Sequence, residues 1–272
     1  MAGATPRPSG SPSGLPQLGA KRPRTDGGFL WETIVNGPVR SRRLGVSLGL
    51  NILPQRSKLC TFDCPYCECG RNTPKAGDAR WPSPDEVGHS LRQALQRLVT
   101  PPDWITFAGN GEPTMHPRFA GVVDRALEAR DALAPTARIT ILTNGLAGGK
   151  PAIGAALRRL DARMVKLDPG PVTAVNGVLY RRELIATMCR ELAPVILQAM
   201  VAAGPDWDGA SDGALADWLP HVLAAQPVGL HLYSIERAPA DPHVRRVPRE
   251  RLEQMAAAVR AALPRCDVQV FG

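Results

Sequence analysis

Cys60-Thr61-Phe62-Asp63-Cys64-Pro65-Tyr66-Cys67 is the stretch from which the rest of the chain can be read. Four of the six cysteines crowd into residues 60–69, while Cys189 and Cys266 stand alone. A secreted disulfide scaffold is shorter and spreads its cysteines over many loops. The crowding points instead to a metal site in a reducing compartment, so a cytoplasmic location is expected. Thiolates are the usual ligands of iron–sulfur clusters, and such close spacing lets a short loop wrap one corner of a cube. Cys60, Cys64 and Cys67 would then hold a [4Fe–4S] cluster and leave one iron open. A structural zinc site would want a fourth ligand, which Cys69 could supply.

Outward from this loop, apolar runs of strand length alternate with longer helical patterns. Strands are expected over residues 46–51, 104–108, 138–142, 163–168, 195–201 and 228–235, with a short last one over 268–271. Helices are expected over 83–99, 117–130, 151–160, 182–192, 212–225 and 248–262. Ser83, Pro84 and Glu86 form a capping box with proline at the first helical position. The cysteine loop follows the first strand.

Six βα units in succession give right-handed crossovers and a parallel sheet, hence an α/β fold. Each strand splits into two faces. Val46, Leu48 and Leu50 oppose Ser47, Gly49 and Asn51, and Ile105 and Phe107 oppose Thr106 and Ala108. Val165 and Leu167 oppose Met164, Lys166 and Asp168; Leu197, Ala199 and Val201 oppose Gln198 and Met200. Leu230 and Leu232 oppose His231 and Tyr233. One face suits packing on helices and the other is smaller or more polar, unlike the branched apolar filling of a closed barrel. The expectation is a partial (βα)6 barrel with a wet interior. The competing architecture is a doubly wound sheet with scattered polar residues.

Residues 1–28 are Pro, Gly, Ser and basic, with no apolar run to bury, and are expected to be a disordered tail; residues 29–272 form the folded domain. The tail lacks the apolar core of a secretory signal. No stretch approaches the ~20 apolar residues of a membrane helix, so no membrane partner is expected. Net charge is +8, compatible with a polyanionic substrate such as RNA and equally with a solvated surface.

Cys-x3-Cys-x2-Cys with Tyr66 before the last cysteine resembles the signature of the radical S-adenosylmethionine (SAM) superfamily. Further stretches carry the likeness: residues 37–51 before the loop, Phe107-Ala-Gly-Asn-Gly-Glu-Pro-Thr114, Leu142-Thr-Asn-Gly145, Val165-Lys-Leu-Asp168 and Leu232-Tyr-Ser-Ile-Glu-Arg237. Together they are similar to the iron–sulfur oxidoreductase branch that includes the tRNA-wyosine synthases.

The resemblance implies a radical SAM barrel in which SAM chelates the open iron and is cleaved to a 5′-deoxyadenosyl radical. It places Tyr66 near adenine, and the turn Asn110, Gly111, Glu112 and Pro113 at the methionine amino group. It sets Asn144, Lys166, Asp168 and Gln198 around the SAM ribose and carboxylate or the substrate. Lys166 and Asp168 can equally be a structural ion pair, and Gly-Asn-Gly-Glu-Pro can be an ordinary turn. His231 and Tyr233 can touch adenine or substrate, whereas His116 reads as a helix-entry group. A flavodoxin or ferredoxin type electron donor is implied, with a small-molecule, peptide or RNA substrate. No cysteine precedes Cys60, so the second cluster of archaeal wyosine synthases has no ligands upstream. A non-catalytic iron–sulfur or zinc scaffold is the alternative from another class.

Overall fold

A computed structural model describes residues 17–73, 79–237 and 239–272. Its strands are β1 (Lys21–Pro23), β2 (Phe29–Trp31), β3 (Val35–Ser41), β4 (Gly45–Leu50), β5 (Trp104–Phe107) and β6 (Arg138–Thr143). They continue with β7 (Ala162–Lys166), β8 (Ile196–Met200), β9 (Ala202–Ala203), β10 (Gly229–Tyr233), β11 (Arg245–Arg246) and β12 (Asp267–Phe271). The helices are α1 (Pro84–Gln96), α2 (Phe119–Leu133), α3 (Pro151–Arg158), α4 (Val172–Asn176), α5 (Arg182–Glu191), α6 (Asp212–Ala225) and α7 (Arg249–Ala262).

The central sheet has eight strands in the order β12-β10-β8-β7-β6-β5-β4-β3. From β4 to β12 every neighbouring pair is parallel, and β3 joins the edge antiparallel to β4. The strands follow chain order, as repeated βα units require. Ser83 begins α1 as expected: its hydroxyl accepts from Glu86 N at 3.2 Å, and the Glu86 carboxylate accepts from Ser83 N at 2.8 Å. Val87, Leu91, Ala94 and Leu95, spaced along one face of α1, are buried.

The two faces of the sheet differ as the alternation predicts. Leu48, Ile105, Ile139, Val165, Leu197 and Leu230 are fully buried in the main core under the helices. The opposite face carries Ser47 bonded to Thr106 at 2.8 Å, then Met164, Lys166, Gln198 and Tyr233. That face is concave. The β3–β4 turn lies at the far end of the strand order from β10, yet Arg42 pairs with Glu236 at 2.5 Å and Arg43 donates to Gln198. Only a sheet curled into a half-barrel brings those groups together, and the doubly wound alternative, a flat open sheet, does not.

The sequence reading did not anticipate β3, nor the short α4 and the β9–β11 ribbon. The expected tail needs correction too. Its residues 1–16 lie outside the described residues, but residues 17–28 are structured. β1 pairs antiparallel with β2, and Leu18 exchanges backbone hydrogen bonds with Gly37. Composition misled because the stabilising partners, β2 and a cation–π contact of Lys21 over Phe29 at 4.0 Å, lie later in the chain. Among the described residues no helix is long and apolar enough to cross a membrane.

Candidate cluster and nucleotide site

The cysteine loop is held from both flanks by groups that belong to its own sequence. Asn72 closes it: its amide donates to the carbonyls of Cys60 and Phe62, both at 3.0 Å, and its carbonyl accepts from Cys60 N at 3.0 Å. Lys58 is 1% exposed, and its ammonium donates to Gly70 O at 2.5 Å and to Asp63 at 3.2 Å. The Cys67 N–H returns to Cys64 O at 3.1 Å, a tight turn over the intervening Pro65 and Tyr66. Residues of the next strand exits then clamp the loop. Asn176, at the end of α4, donates to Asp168 at 2.8 Å, to the Tyr66 hydroxyl at 3.1 Å and to Cys64 Sγ at 3.5 Å. Asn144 donates to Thr61 Oγ1 at 2.7 Å.

One cavity of about 300 Å³ opens inside the half-barrel at the C-terminal ends of the strands, where barrel enzymes place their sites. Cys60, Cys64 and Cys67 line it, together with Tyr66, Gly111, Glu112, Asn144, Lys166 and Gln198. The sequence reading thus brought nine of its site residues to one cavity. Three others lie elsewhere. Asn110 is fully buried, accepts from Trp31 N at 2.8 Å and donates to Trp31 O and Pro54 O at 2.9 and 3.0 Å. It latches the N-terminal strands to the sheet. Pro113 begins a buried single turn of 3-10 helix. Asp168 sits behind the wall: it accepts from Tyr66 Oη, from Asn176 and from Met200 N at 2.9 Å, so its carboxylate positions Tyr66. Lys166 approaches it at 3.5 Å, which is the structural ion pair. Asn110→Ala leaves the buried Pro54 carbonyl and the part-buried Trp31 N–H and carbonyl without this partner, and at about 1–3 kcal/mol for a fully buried group a loss of about 3 kcal/mol is expected in urea unfolding.

Gly111 has φ +136°, and a β-carbon there would sit 1.7 Å from Leu59 O. The closeness is used: Leu59 N bonds to Asn110 O and Glu112 N to Leu59 O, both at 2.9 Å, stitching the cysteine loop to the β5 exit. Glu112 is 3% exposed, and its carboxylate accepts from Thr143 Oγ1 at 2.6 Å, Thr114 Oγ1 at 2.7 Å, Asn144 N at 2.8 Å and Thr114 N at 3.1 Å. Burial pushes its carboxyl upward against those donors. Among the described residues no cation is within 4 Å of it, so when ionised its charge faces the cavity unpaired.

The thiols differ in acidity. Burial pushes Cys60 up to about 12, with Glu112 adding to it, and raises Cys64 as well. The neighbouring Cys69 thiol draws Cys67 down to about 6, with the Lys58 ammonium helping. Cys69 itself donates to Gly109 O at 3.4 Å and does not line the cavity. The donor set therefore suits a [4Fe–4S] cluster: three thiols from one loop on one wall, beside a buried cation that favours thiolates. Among the described residues no three His, Cys, Asp or Glu side chains converge on a single-ion position, as a zinc site requires.

His116 has the helix-entry role expected of it, bonding Pro82 O at 2.8 Å and accepting from Arg118 N at 3.0 Å. Lys58, Arg43 and Asn176 were missed. Lys58 carried a signal in its closeness to Cys60; the others depend on contacts across the barrel. His231 bonds Gln198 at 2.9 Å. Burial, reinforced by Arg43, holds it down to about 4 from the usual 6.5. Its folded value lies below its unfolded one, so the stability it contributes is present above pH 6.5 and lost as pH falls through 4. That shift is worth about 3 kcal/mol. The urea midpoint is expected to drop across this window, and less steeply in His231→Gln.

The comparisons agree with this geometry. Residues 55–169 match the family model described as the radical SAM superfamily. That stretch, less than half of the chain, is similar to the radical SAM superfamily and contains the cysteine loop, the Gly111–Glu112 turn and Asn144. A UPF0026 protein of Helicobacter pylori is 34% identical over 148 residues, 53% of this chain and 46% of that protein. A UPF0026 protein of Methanocaldococcus jannaschii is 42% identical over 85 residues, 30% of this chain and 26% of that protein. The chain spans about half the length of the Helicobacter relative that it matches, or less. Among solved structures, Streptococcus suis SuiB bound to S-adenosylmethionine superposes with TM-score 0.60 at 15% identity, covering 82% of this chain and 50% of that one. Coproporphyrinogen III oxidase from Escherichia coli, a radical SAM enzyme, gives 0.52 at 12%, covering 75% and 50%. At those identities the likeness is one of fold.

Proposed function

We propose that the chain is a radical SAM enzyme in which Cys60, Cys64 and Cys67 hold the cluster and the half-barrel holds SAM and a substrate. The observation that carries this reading is the convergence of the three thiols, the Gly111–Glu112 turn and Asn144 on one cavity wall. When bound, the cluster and SAM supply reductive cleavage to methionine and a 5′-deoxyadenosyl radical, which takes a hydrogen atom from an unreactive carbon.

The chain's own residues bind, orient and exclude water. Glu112, held by four donors, offers fixed negative charge to the SAM ammonium, and Gly111 lets the backbone approach closely. Tyr66, fixed through its hydroxyl by Asp168 and Asn176, keeps a flat apolar face toward the cavity for adenine. Leu142, Met164 and Met200 line the wall between the polar groups and leave few sites for water.

Electrons come from a flavodoxin or ferredoxin type donor in this reading. Anaerobically reconstituted protein given dithionite and SAM is expected to form 5′-deoxyadenosine without added substrate. A chain with a full cluster that forms none is a scaffold. The finer likeness, to tRNA-wyosine synthases, makes tRNA the first substrate to test. Its retention is expected to weaken steeply between 50 and 200 mM salt, and salt-insensitive or absent retention removes RNA from consideration.

A further inference from the structure

The charges lining the cavity cancel in pairs except at its two ends. Lys58 is paired with Asp63, Lys166 with Asp168 and Glu68 with Arg237. Glu112, beside Cys60 and Asn144, has no cation within 4 Å among the described residues. Arg43, at the other end, has no carboxylate within 4 Å among the described residues. Its guanidinium donates instead to the neutral Gln198 and lies 4.3 Å from the ring centre of Tyr233.

The surroundings hold this cation in place without neutralising it. Gln198 is buried and fixed from behind by His231 at 2.9 Å, and His231 packs edge-on against Phe271, with ring centres 5.2 Å apart. Arg42 anchors the same turn by its pair with Glu236. A guanidinium held over an aromatic ring, with one neutral acceptor, keeps free N–H donors in the planar fork that matches an oxyanion.

We propose that Arg43 is the anchor of an oxyanion subsite at the end of the cavity away from the cysteines, and that the substrate carries a carboxylate or phosphate there. The proposal rests on the radical SAM reading for the word substrate, but the subsite itself is independent of the cluster. Glu112 complements the cationic nucleotide and Arg43 the anionic substrate, so the two ligands are sorted to opposite ends by charge. Gln198 and Tyr233 are positioning residues for the fork.

The test is calorimetric titration of the full chain, without cluster, with succinate and separately with inorganic phosphate. One saturable site is expected for one of the two anions, which assigns carboxylate or phosphate. Affinity is expected to fall at least tenfold in Arg43→Gln, with only partial recovery in Arg43→Lys, whose point charge lacks the fork. Arg265→Gln, an exposed position outside the cavity, should bind as the parent does. Unchanged affinity in Arg43→Gln, with its circular dichroism intact, overturns the proposal, as does binding of neither anion. A chain that forms 5′-deoxyadenosine yet binds no anion refutes the subsite alone. One that binds the anion through Arg43 yet forms no 5′-deoxyadenosine refutes the enzyme reading alone.

Discussion

Cys64→Ala is expected to purify colourless after anaerobic reconstitution and to form 5′-deoxyadenosine only at background, and Cys60→Ala and Cys67→Ala should behave alike. The three thiols share one cavity wall, and a cluster held at three corners has no spare protein ligand when one goes. Cys69→Ala is the discriminating control. Its thiol donates to Gly109 O and does not line the cavity, so the variant should keep its colour. Under the zinc alternative Cys69 is a ligand, and its loss would empty the site as completely as that of the others. Iron and sulfide content beside product formation distinguishes the two.

Gly111→Ala is expected to be the most damaging single change outside the cysteines. The residue combines φ +136°, which alanine adopts only under strain, with a position where the added methyl meets Leu59 O at 1.7 Å. Strain of this kind costs about 1–3 kcal/mol, and the clash adds to it because the neighbour is backbone. The turn can relieve the contact only by breaking the Leu59–Asn110 and Glu112–Leu59 bonds, which carry the cysteine loop against β5. A loss of about 3 kcal/mol in urea unfolding and a reduction of 5′-deoxyadenosine formation beyond tenfold are expected. Gly149→Ala, with nothing within 4 Å of the added carbon, serves as the matched neutral change.

The half-barrel was legible because strand alternation is a local property. Val165 against Lys166, or Leu197 against Gln198, assigns inside and outside without knowledge of neighbours, and the cavity walls follow those assignments. That the three cysteines lie together was legible for the same reason, since one loop carries them all. Asn110 was misplaced because a single step along a turn decides whether a side chain faces the cavity or the wall behind it. Asp168 was read one layer too far inward: its partners Tyr66 and Met200 come from the loop and from β8, and no local pattern announces them. Arg43 sat in a basic run that composition assigns to the surface, and its partner Gln198 lies 155 residues away. Residues 17–28 were misjudged for a related reason, since β2 and Asn110 supply the order that their own composition lacks.

In the proposed site Cys60, Cys64 and Cys67 hold three irons of the cluster and the fourth is left to SAM. The direct test is low-temperature electron paramagnetic resonance of the reduced, reconstituted protein before and after addition of SAM. The account predicts a cluster of about four irons whose signal shifts when SAM is added, and shifts no further when Cys69 is replaced. A signal indifferent to SAM, or one lost in Cys69→Ala, would mean that the fourth corner is closed by the protein and would contradict it.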